Sequence, residues 1–473
     1  MIELRLGEIA DIVGGRLHEA DPSTVVSGAV EFDSRAVTAG GLFLALPGER
    51  VDGHDFVPAA MAAGAVAALV TRPVAAPSIV VADGFAALAA LAAAVVRRLP
   101  DTTVIGVTGS SGKTSTKDLL AQLLTRLGPT VAPPGSFNNE LGHPYTVLRA
   151  TPETRYLVLE NSARGIGHIR YLTDIAPPRI GVVLNVGSAH LGEFGSREAI
   201  AQAKGELVEA LASDGVAVLN ADDPLVAAMA SRTAARVVPV GQSAEAAVRA
   251  EDVTLDDLGR ARFRLRAAEG SAGVALRLVG GHHVGNALAA AAVALECGLP
   301  LADVAAALSA ATPVSRWRME VTERPDGVVI VNDAYNANPE SMRAALTTLA
   351  SIGANRPGRT YAVLGHMAEL GADGPAEHEA LGRLAAGLGV ARVVAVGEAA
   401  RPIERAAALE GSWDGESSWV PDADAAVALL RAELRPGDVV LVKASRAASL
   451  ERVAVAIADD TGPGLEPEGD DAP

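Results

Sequence analysis

The sequence predicts an α/β protein of three domains. Its 473 residues suggest two to four domains, at roughly 100–200 residues per domain. Residues 101–312 alternate strand-like and helix-like runs, which is typical of βαβ units and a mostly parallel sheet. A second alternation begins at residue 313, whereas residues 1–100 mix short strands and helices. We therefore expect a small α/β domain over 1–100, a parallel-sheet domain over 101–312 and a Rossmann-like domain over 313–458.

In the first domain, VPAAMAAGAVAALV predicts a helix that runs into a strand. The apolar run over residues 85–96 is too short to cross a bilayer and predicts a buried helix, so no membrane insertion is expected. The N-terminal stretch MIELRLGEIADIVGG lacks a basic segment followed by an apolar run, so no signal peptide is expected. At the other end, the acidic, Pro- and Gly-rich residues 459–473 predict a disordered tail.

In the second domain, the apolar runs TTVIGV, YLVLE, IGVVLN and VAVLN predict strands, each followed by a polar loop. DVTLDDLGRARFRLRAA predicts antiparallel strands, and VGNALAAAAVALECG predicts a helix that ends at Gly298. In the third domain, the predicted strands are GVVIVND, TYAVLG, ARVVAVG and DVVLVKA. Ligands of such folds bind at the carboxyl ends of the strands, so the polar loops are the candidate sites.

Charge and cysteine content restrict the class of protein. The net charge of −17 argues against nucleic acid as a main partner, because binding to its phosphates needs clustered Lys and Arg. The single cysteine, Cys297, cannot form an internal disulfide, which favours a reducing, cytoplasmic compartment.

The stretch VTGSSGKTSTKDLL, residues 107–120, indicates a phosphate-binding loop between a strand and a helix. Backbone amides of such a loop bind phosphates, Lys113 would reach the β- and γ-phosphates, and Thr114 would hold Mg²⁺. The standard pattern places a glycine at position 107, where this chain has valine. The alternative is a Gly/Ser turn with an incidental lysine.

Three further residues are candidates for a metal site. Glu160 ends a strand predicted to lie in the same parallel sheet as the P-loop strand, where a carboxylate can bind Mg²⁺, although it could instead face solvent. His190 also follows a strand, but a lone histidine is more often structural. Lys204 would repel Mg²⁺ unless its amine reacts with CO₂ to form an anionic carbamate, which Arg cannot do.

Lysine is rare in this chain. Only four of its 40 basic residues are lysine, namely Lys113, Lys117, Lys204 and Lys443. Since Arg serves elsewhere, a retained lysine indicates a need for a compact ammonium or for an amine that can lose its proton, with chance retention as the alternative. In the third domain, the polar cluster VNDAYNANPES suits sugar hydroxyls or a nucleobase, or it is an Asn-rich helix cap.

Seven motifs occur in the order found in the Mur ligases of peptidoglycan synthesis, and the chain resembles this family, most closely its MurF type. The motifs are TGSSGKTS, NNELGHP, AHLGEFGS, AKGE, VGNALAA, DAYNANP and LVKASR. The resemblance implies an ATP-dependent amide ligase that phosphorylates a carboxylate and lets an amine attack the acyl phosphate. It implies UDP-N-acetylmuramoyl-tripeptide and D-alanyl-D-alanine as substrates, closure of the domains around them, and a monomer.

The resemblance also assigns roles to residues. The nucleotide residues would be Thr108, Gly109, Ser110, Ser111, Gly112, Lys113, Thr114, Ser115, Asn286, Arg318, Asp333 and Asn336. Two Mg²⁺ ions would be held by Thr114 and Glu160, and by His190 and a carbamylated Lys204. Asn138 and Asn139 would lie near the reacting groups. The UDP-sugar would contact Ser34, Arg35, Gly53 and His54, and the dipeptide would dock near Lys443 and Ser445.

Two other functions stay open at this point. The first is a related ligase that adds a different amino acid or acts on a folate-like acceptor. The second is a regulatory P-loop ATPase whose outer domains only bind a partner. Amide formation separates these classes, since a regulatory ATPase turns over ATP without an amine acceptor.

Overall fold

The computed structural model describes residues 1–48, 51–187 and 191–459. They form two compact units, one of residues 1–256 and 260–315, and one of residues 257–259 with the chain from Arg316 onward. His190 and all but the first residue of the predicted acidic tail lie outside the described residues. Within those ranges, no helix is long and apolar enough to span a membrane.

The first unit begins with a parallel sheet and its covering helices. In chain order, its elements are β1 (Leu4–Arg5), α1 (Leu6–Val13), β2 (Arg16–His18), β3 (Val25–Val26), β4 (Val30–Glu31), β5 (Leu42–Leu44), α2 (Val57–Ala62), β6 (Ala67–Val70), β7 (Ser78–Val80) and α3 (Gly84–Arg97). The sheet has the order β2-β7-β6-β5-β4, with only β2 antiparallel to its neighbour. Asp83 caps α3 by accepting from two backbone amides. The predicted transition from α2 to β6 and the predicted buried helix α3 are confirmed.

The rest of the first unit is built around a larger sheet. Its elements are β8 (Thr103–Thr108), α4 (Lys113–Leu124), β9 (Thr130–Val131), α5 (Gly142–Val147), β10 (Tyr156–Glu160), α6 (His168–Ile175), β11 (Ile180–Val183), α7 (Leu191–Phe194), α8 (Arg197–Glu209), β12 (Val216–Asn220), α9 (Pro224–Ala227), β13 (Arg236–Gly241), β14 (Val248–Leu255), β15 (Arg260–Ala267), β16 (Gly270–Val279), α10 (His283–Glu296) and α11 (Leu301–Ala310). The strand order is β16-β15-β14-β13-β12-β11-β8-β10-β9. Only the β14–β15 and β15–β16 pairs are antiparallel, and the sequence predicts the first of these two pairs.

The central strands are apolar along their length because both faces of the sheet are buried. Val104 of β8 packs in the core on the side of α3, whereas the next residue, Ile105, packs on the side of α4 and α10. The strands predicted from TTVIGV, YLVLE, IGVVLN and VAVLN are confirmed. Strands β9, β13 and β16 were not predicted.

The register brings three strand ends together at one edge. Glu160 of β10 pairs with Val107 of β8, and Val183 of β11 pairs with Thr108 of β8. The loops after β8, β10 and β11 therefore start side by side, where parallel sheets bind their ligands.

The second unit is another α/β layer structure. Its elements are β17 (Glu320–Glu323), β18 (Val329–Asn332), α12 (Pro339–Gly353), β19 (Thr360–Leu364), α13 (Gly374–Gly387), β20 (Arg392–Val396), α14 (Arg401–Ala408), β21 (Glu416–Val420), α15 (Ala423–Glu433), β22 (Val439–Lys443) and α16 (Glu451–Ala458). The strand order is β17-β18-β22-β19-β20-β21, and only β17 is antiparallel to its neighbour. The four predicted strands are confirmed, and β17 and β21 were missed. The α/β class predicted from the sequence is confirmed in both units.

Candidate active site

The turn between β8 and α4 has the geometry of a phosphate-binding loop. Gly112 precedes α4 with φ +81°, a left-handed conformation that residues with side chains disfavour. An added Cβ there would also come within 2.4 Å of Asn286 Oδ1. Lys113 begins the helix, and its Nζ donates to the Gly109 carbonyl at 2.6 Å. The loop amides, the helix N-terminus and this ammonium together favour a bound phosphate.

Thr108 and Ser115, which are predicted to bind nucleotide, differ in their burial. Thr108 is buried, and its hydroxyl donates to the Asn161 carbonyl at 2.8 Å. The Thr108 hydroxyl is therefore bonded to the segment that follows β10. Ser115 lies partly exposed in the first turn of α4.

Asn185, which follows β11, holds the loop in place. Its Oδ1 accepts from the Ser111 amide at 2.9 Å, and its Nδ2 donates to the Ser111 carbonyl at 3.2 Å. Its own carbonyl accepts from the Ser110 amide, and the Ser110 hydroxyl accepts from Gly187. The sequence predicts Asn185 only as the end of the strand IGVVLN and gives it no specific role, because its partner lies 74 residues away.

Oxygen ligands converge beside the start of α4. Glu160 is fully buried, and its Oε2 accepts from Thr114 Oγ1 at 3.4 Å and from Asn138 Nδ2 at 3.2 Å. The Thr114 hydroxyl also lies 2.7 Å from the hydroxyl of Ser136, a residue for which the sequence predicts no role. The structure thus brings the predicted pair Thr114 and Glu160 together, and adds Ser136 and Asn138 beside them.

The donor set suits a hard cation. A carboxylate and two hydroxyls beside a phosphate loop supply the kind of oxygen atoms that Mg²⁺ accepts, with phosphate and water completing its shell, while the Asn138 amide nitrogen donates to the Glu160 carboxylate. Within the described ranges, no group of three or more His, Cys, Asp or Glu side chains could hold a metal ion. His190, a predicted ligand, lies outside those ranges.

Lys204 lies in α8 and is almost completely buried, with 4% of its surface exposed. Burial lowers its pKa well below the usual value for lysine, and the positive charge of Lys113 lowers it further. No hydrogen bond or ion pair to a described residue offsets these effects. The site therefore favours the neutral amine, which is the form that reacts with CO₂.

Asn138 and Asn139 are held by different parts of the chain. The Asn138 carbonyl accepts from the Ser162 hydroxyl at 2.7 Å. The Asn139 side chain accepts from the Gly142 amide at 2.9 Å and so caps α5. Asn138 faces Glu160 and the proposed metal ligands, whereas Asn139 shapes the loop.

Two buried histidines of the first unit, His143 and His283, have lowered pKa values. Burial lowers the pKa of His143 to about 3, and the neighbouring His168 contributes in the same direction. Burial also holds the pKa of His283 well below its usual value. Its Nδ1 lies 3.3 Å from Asn286 Nδ2, so Asn286 is fixed between this ring and Gly112.

The predicted UDP-sugar residues differ in exposure. Arg35 is exposed and pairs with Asp33 at 2.9 Å, and Ser34 is partly exposed beside it. His54 is buried, with Nδ1 2.6 Å from Asp52 and Nε2 accepting from the Thr71 amide at 3.0 Å. Both ring nitrogens are therefore occupied within the protein. An added Cβ on Gly53 would lie 2.5 Å from the Leu46 carbonyl oxygen, which explains the glycine.

In the second unit, Lys443 is paired rather than open to solvent. Its side chain is 2% exposed, and Nζ donates to Asp333 Oδ2 at 2.6 Å and to the Asn336 carbonyl at 2.9 Å. The other oxygen of Asp333 accepts from the Met319 amide at 3.1 Å. Burial lowers the pKa of Lys443, whereas the negative charge of Asp333 and its hydrogen bond to the ammonium raise it.

Arg318 lies in the segment just before β17. The two residues flanking it, Trp317 and Met319, have φ of +58° and +53°, an uncommon conformation for residues with side chains. The Arg318 guanidinium lies 4.2 Å from the centre of the Tyr335 ring. The hydroxyl of Ser445, predicted near the dipeptide, accepts from the Ala368 amide at 2.8 Å and holds the loop after β19.

The fold and site define a class of ATP-using ligases, and comparison with known protein families gives the same answer. Three family models match: the Mur ligase family catalytic domain over residues 28–109, the Mur ligase middle domain over 107–294, and the Mur ligase glutamate ligase domain over 317–446. The chain belongs to the Mur ligase family.

Within that family, relatives of the MurF type match the chain over nearly its full length. A Mycobacterium tuberculosis protein named UDP-N-acetylmuramoyl-tripeptide–D-alanyl-D-alanine ligase is 56% identical, covering 99% of this chain and 100% of the relative. The Escherichia coli protein of the same name is 36% identical, covering 97% and 99%. A crystal structure of MurF from Acinetobacter baumannii has a TM-score of 0.86 at 33% identity, covering 97% and 99%. MurF from Thermotoga maritima in complex with ADP has a TM-score of 0.79 at 31% identity, covering 92% and 98%.

Proposed function

We propose that this chain joins D-alanyl-D-alanine to UDP-N-acetylmuramoyl-tripeptide at the expense of ATP, forming the UDP-muramyl-pentapeptide precursor of peptidoglycan. The observation that carries the proposal is full-length similarity to MurF-type ligases, in a chain whose phosphate loop adjoins the buried pair Thr114 and Glu160, with Asn138 beside it. We propose a cytoplasmic location, because Cys297 is a free thiol and the cytoplasm keeps thiols reduced.

The first step activates a carboxylate. An oxygen of the tripeptide carboxylate attacks the γ-phosphorus of ATP, the bond to the β-phosphate oxygen breaks, and ADP leaves. Lys113 and the loop amides hold the phosphates and offset the charge that develops on them. The product, an acyl phosphate, carries the leaving group that a carboxylate lacks.

The second step forms the amide. The neutral amine of the dipeptide attacks the acyl carbon, the tetrahedral intermediate collapses, and phosphate leaves while the nitrogen gives up a proton. Water must be kept from the acyl phosphate during this step, so we propose that the domains close around the substrates.

Mg²⁺ is part of the proposal. One ion would be held by Thr114 and Glu160, with Ser136 and Asn138 beside them, and a second by His190 and a carbamylated Lys204. Held by these residues, Mg²⁺ would supply positive charge that offsets the negative charge developing on the phosphates. For the nucleoside we propose Asn286, Arg318, Asp333 and Asn336, and for the UDP-sugar Ser34 and Arg35.

The test is ADP release measured against a panel of UDP-muramyl peptides, each with and without D-alanyl-D-alanine. We expect ADP to appear only when the tripeptide and the dipeptide are both present, with a product whose mass is their sum less one water. ADP release that needs neither substrate would favour a regulatory ATPase. Release that requires another amine or a folate-like acceptor would favour a related ligase.

The contacts of Lys443 give a prediction about substrate selection. The family resemblance placed it near the dipeptide, but its ammonium is bonded to Asp333, one of the residues proposed for the nucleoside. We therefore expect Lys443→Ala to raise the KM for ATP more than the KM for D-alanyl-D-alanine. Steady-state kinetics with each substrate varied in turn measures both constants.

Asp333→Asn is the matched variant for this comparison. If Lys443 acts through Asp333, both variants should raise the same KM. A rise confined to the dipeptide KM in Lys443→Ala would restore the dipeptide role. Thermal melting of both proteins shows whether loss of the buried pair has unfolded the unit, since an unpaired buried charge is strongly destabilising.

A further inference from the structure

We propose that Lys117 is a positioning residue that sets the loop of residues 133–139 against the metal ligands of the first unit. This inference rests on the proposed function. Lys117 is one of the four retained lysines, and the proposed chemistry gives it no role. It lies one turn beyond Lys113 in α4, and it is 2% exposed.

The ammonium of Lys117 has two partners. It donates to the Pro133 carbonyl at 2.9 Å and forms a short contact with the carboxylate of the next residue, Asp118. A buried ammonium with its charge paired can hold a backbone carbonyl firmly, because hydrogen bonds to charged groups are stronger than neutral ones. A compact group is needed at so enclosed a position, which accounts for lysine in a chain that otherwise prefers Arg.

Pro133 begins the segment that supplies two of the groups around Glu160. Three residues on, the Ser136 hydroxyl lies 2.7 Å from Thr114 Oγ1, and two further on Asn138 donates to Glu160. Asn139 fixes the far end of the segment by capping α5. Lys117 therefore anchors the near end, on the same helix that presents Lys113 and Thr114.

Asp118 has a second contact with structural consequences. Its Oδ2 accepts from the amide of Ser315 at 3.0 Å, and Ser315 is the last residue of the first unit. One turn later, Gln122 exchanges two hydrogen bonds of 3.1 Å with the backbone of Thr312. Helix α4 thus holds both the 133–139 segment and the end of the first unit.

The experiment compares three variants with the parent enzyme. Lys117→Met removes the donor and leaves Asp118 charged, so it risks misfolding. The double variant Lys117→Met/Asp118→Asn removes both charges and keeps an acceptor for Ser315. Arg126→Met is the control, because Arg126 is an exposed basic residue just beyond the end of α4, and its side chain makes no hydrogen bond to the described part of the chain.

We expect the double variant to raise the half-saturating Mg²⁺ concentration and the KM for the UDP-peptide by about tenfold, the size expected for loss of one charge-assisted hydrogen bond. The KM for D-alanyl-D-alanine should change little. Hydrogen exchange by mass spectrometry should be faster over residues 133–142 and unchanged over 103–108. Arg126→Met should match the parent in every measurement.

The result that overturns the inference is a double variant with a lower melting temperature but parental Mg²⁺ dependence, UDP-peptide KM and exchange over 133–142. That outcome would make Lys117 purely structural. It is distinguishable from failure of the proposed function, in which the parent enzyme itself forms no amide. Hydrogen exchange also tests the inference without any activity.

Discussion

Lys113→Ala should lower kcat/KM for amide formation on the order of a hundred- to a thousandfold, the usual cost of losing one preorganised group that stabilises transition-state charge. Lys113 is the first residue of α4, and its ammonium lies 2.6 Å from the Gly109 carbonyl, within the loop that would surround the phosphates. The measurement is ADP release at saturating UDP-peptide and dipeptide, with ATP varied.

The variant should remain folded, because Lys113 is only half-buried and alanine is well tolerated at the start of a helix. Arg126→Met again serves as the control for removal of a positive charge close to α4. Near-normal turnover in Lys113→Ala would remove the assignment of this turn as the phosphate-binding loop. Loss of activity with a large fall in melting temperature would be uninformative alone, so nucleotide affinity should be measured by calorimetry on the same sample.

The phosphate loop and the strands around it could be predicted from the sequence. Their local apolar pattern agrees with the buried position that these strands occupy in the sheet. The apolar run YLVLE became β10 with the predicted boundaries, since a central parallel strand is buried on both faces. The position of Glu160 near the phosphate loop then follows, because it ends that strand beside the loop after β8. Edge strands were missed for the opposite reason: β9 has two residues, and β21 contains two serines.

Contacts between residues that are far apart in the chain could not be predicted from the sequence. Ser136 and Asn185 occupy loops without periodicity, and each acquires its role from a partner 22 or 74 residues away. The sequence also does not show in which direction a side chain points. His54 and Lys443 were expected to contact substrates, but their polar atoms bond to Asp52 and Asp333 in the protein.

Lys204→Arg should be nearly inactive, although it preserves positive charge. The proposed role of Lys204 requires a carbamate, which supplies anionic oxygen to Mg²⁺, and a guanidinium cannot form one. Lys204→Ala should also be poor, but formate or acetate should partly restore it by entering the vacated space. Gln202→Ala, an exposed change on the same helix, should behave like the parent.

The electrostatics of the site support this prediction. An ordinary lysine, with a pKa of about 10.4, is neutral in only about one molecule in a thousand near pH 7.5. Burial and the charge of Lys113 lower the pKa of Lys204, which raises the neutral, CO₂-reactive fraction. Removing the Lys113 charge should therefore raise the pKa of Lys204 and shift carbamate formation to higher pH, which links the two substitutions.

Carbamate formation can be observed apart from activity. Enzyme equilibrated with ¹³C-bicarbonate and Mg²⁺ should show a carbamate carbonyl resonance that is absent from Lys204→Ala and Lys204→Arg, and a density map of the active protein should show the extended side chain. A structural lysine would behave in the opposite way, because Arg would be tolerated and formate would have no effect. That pattern, with an unmodified amine in the active, metal-bound enzyme, would exclude Lys204 as a carbamate ligand and leave its low pKa as a consequence of burial alone.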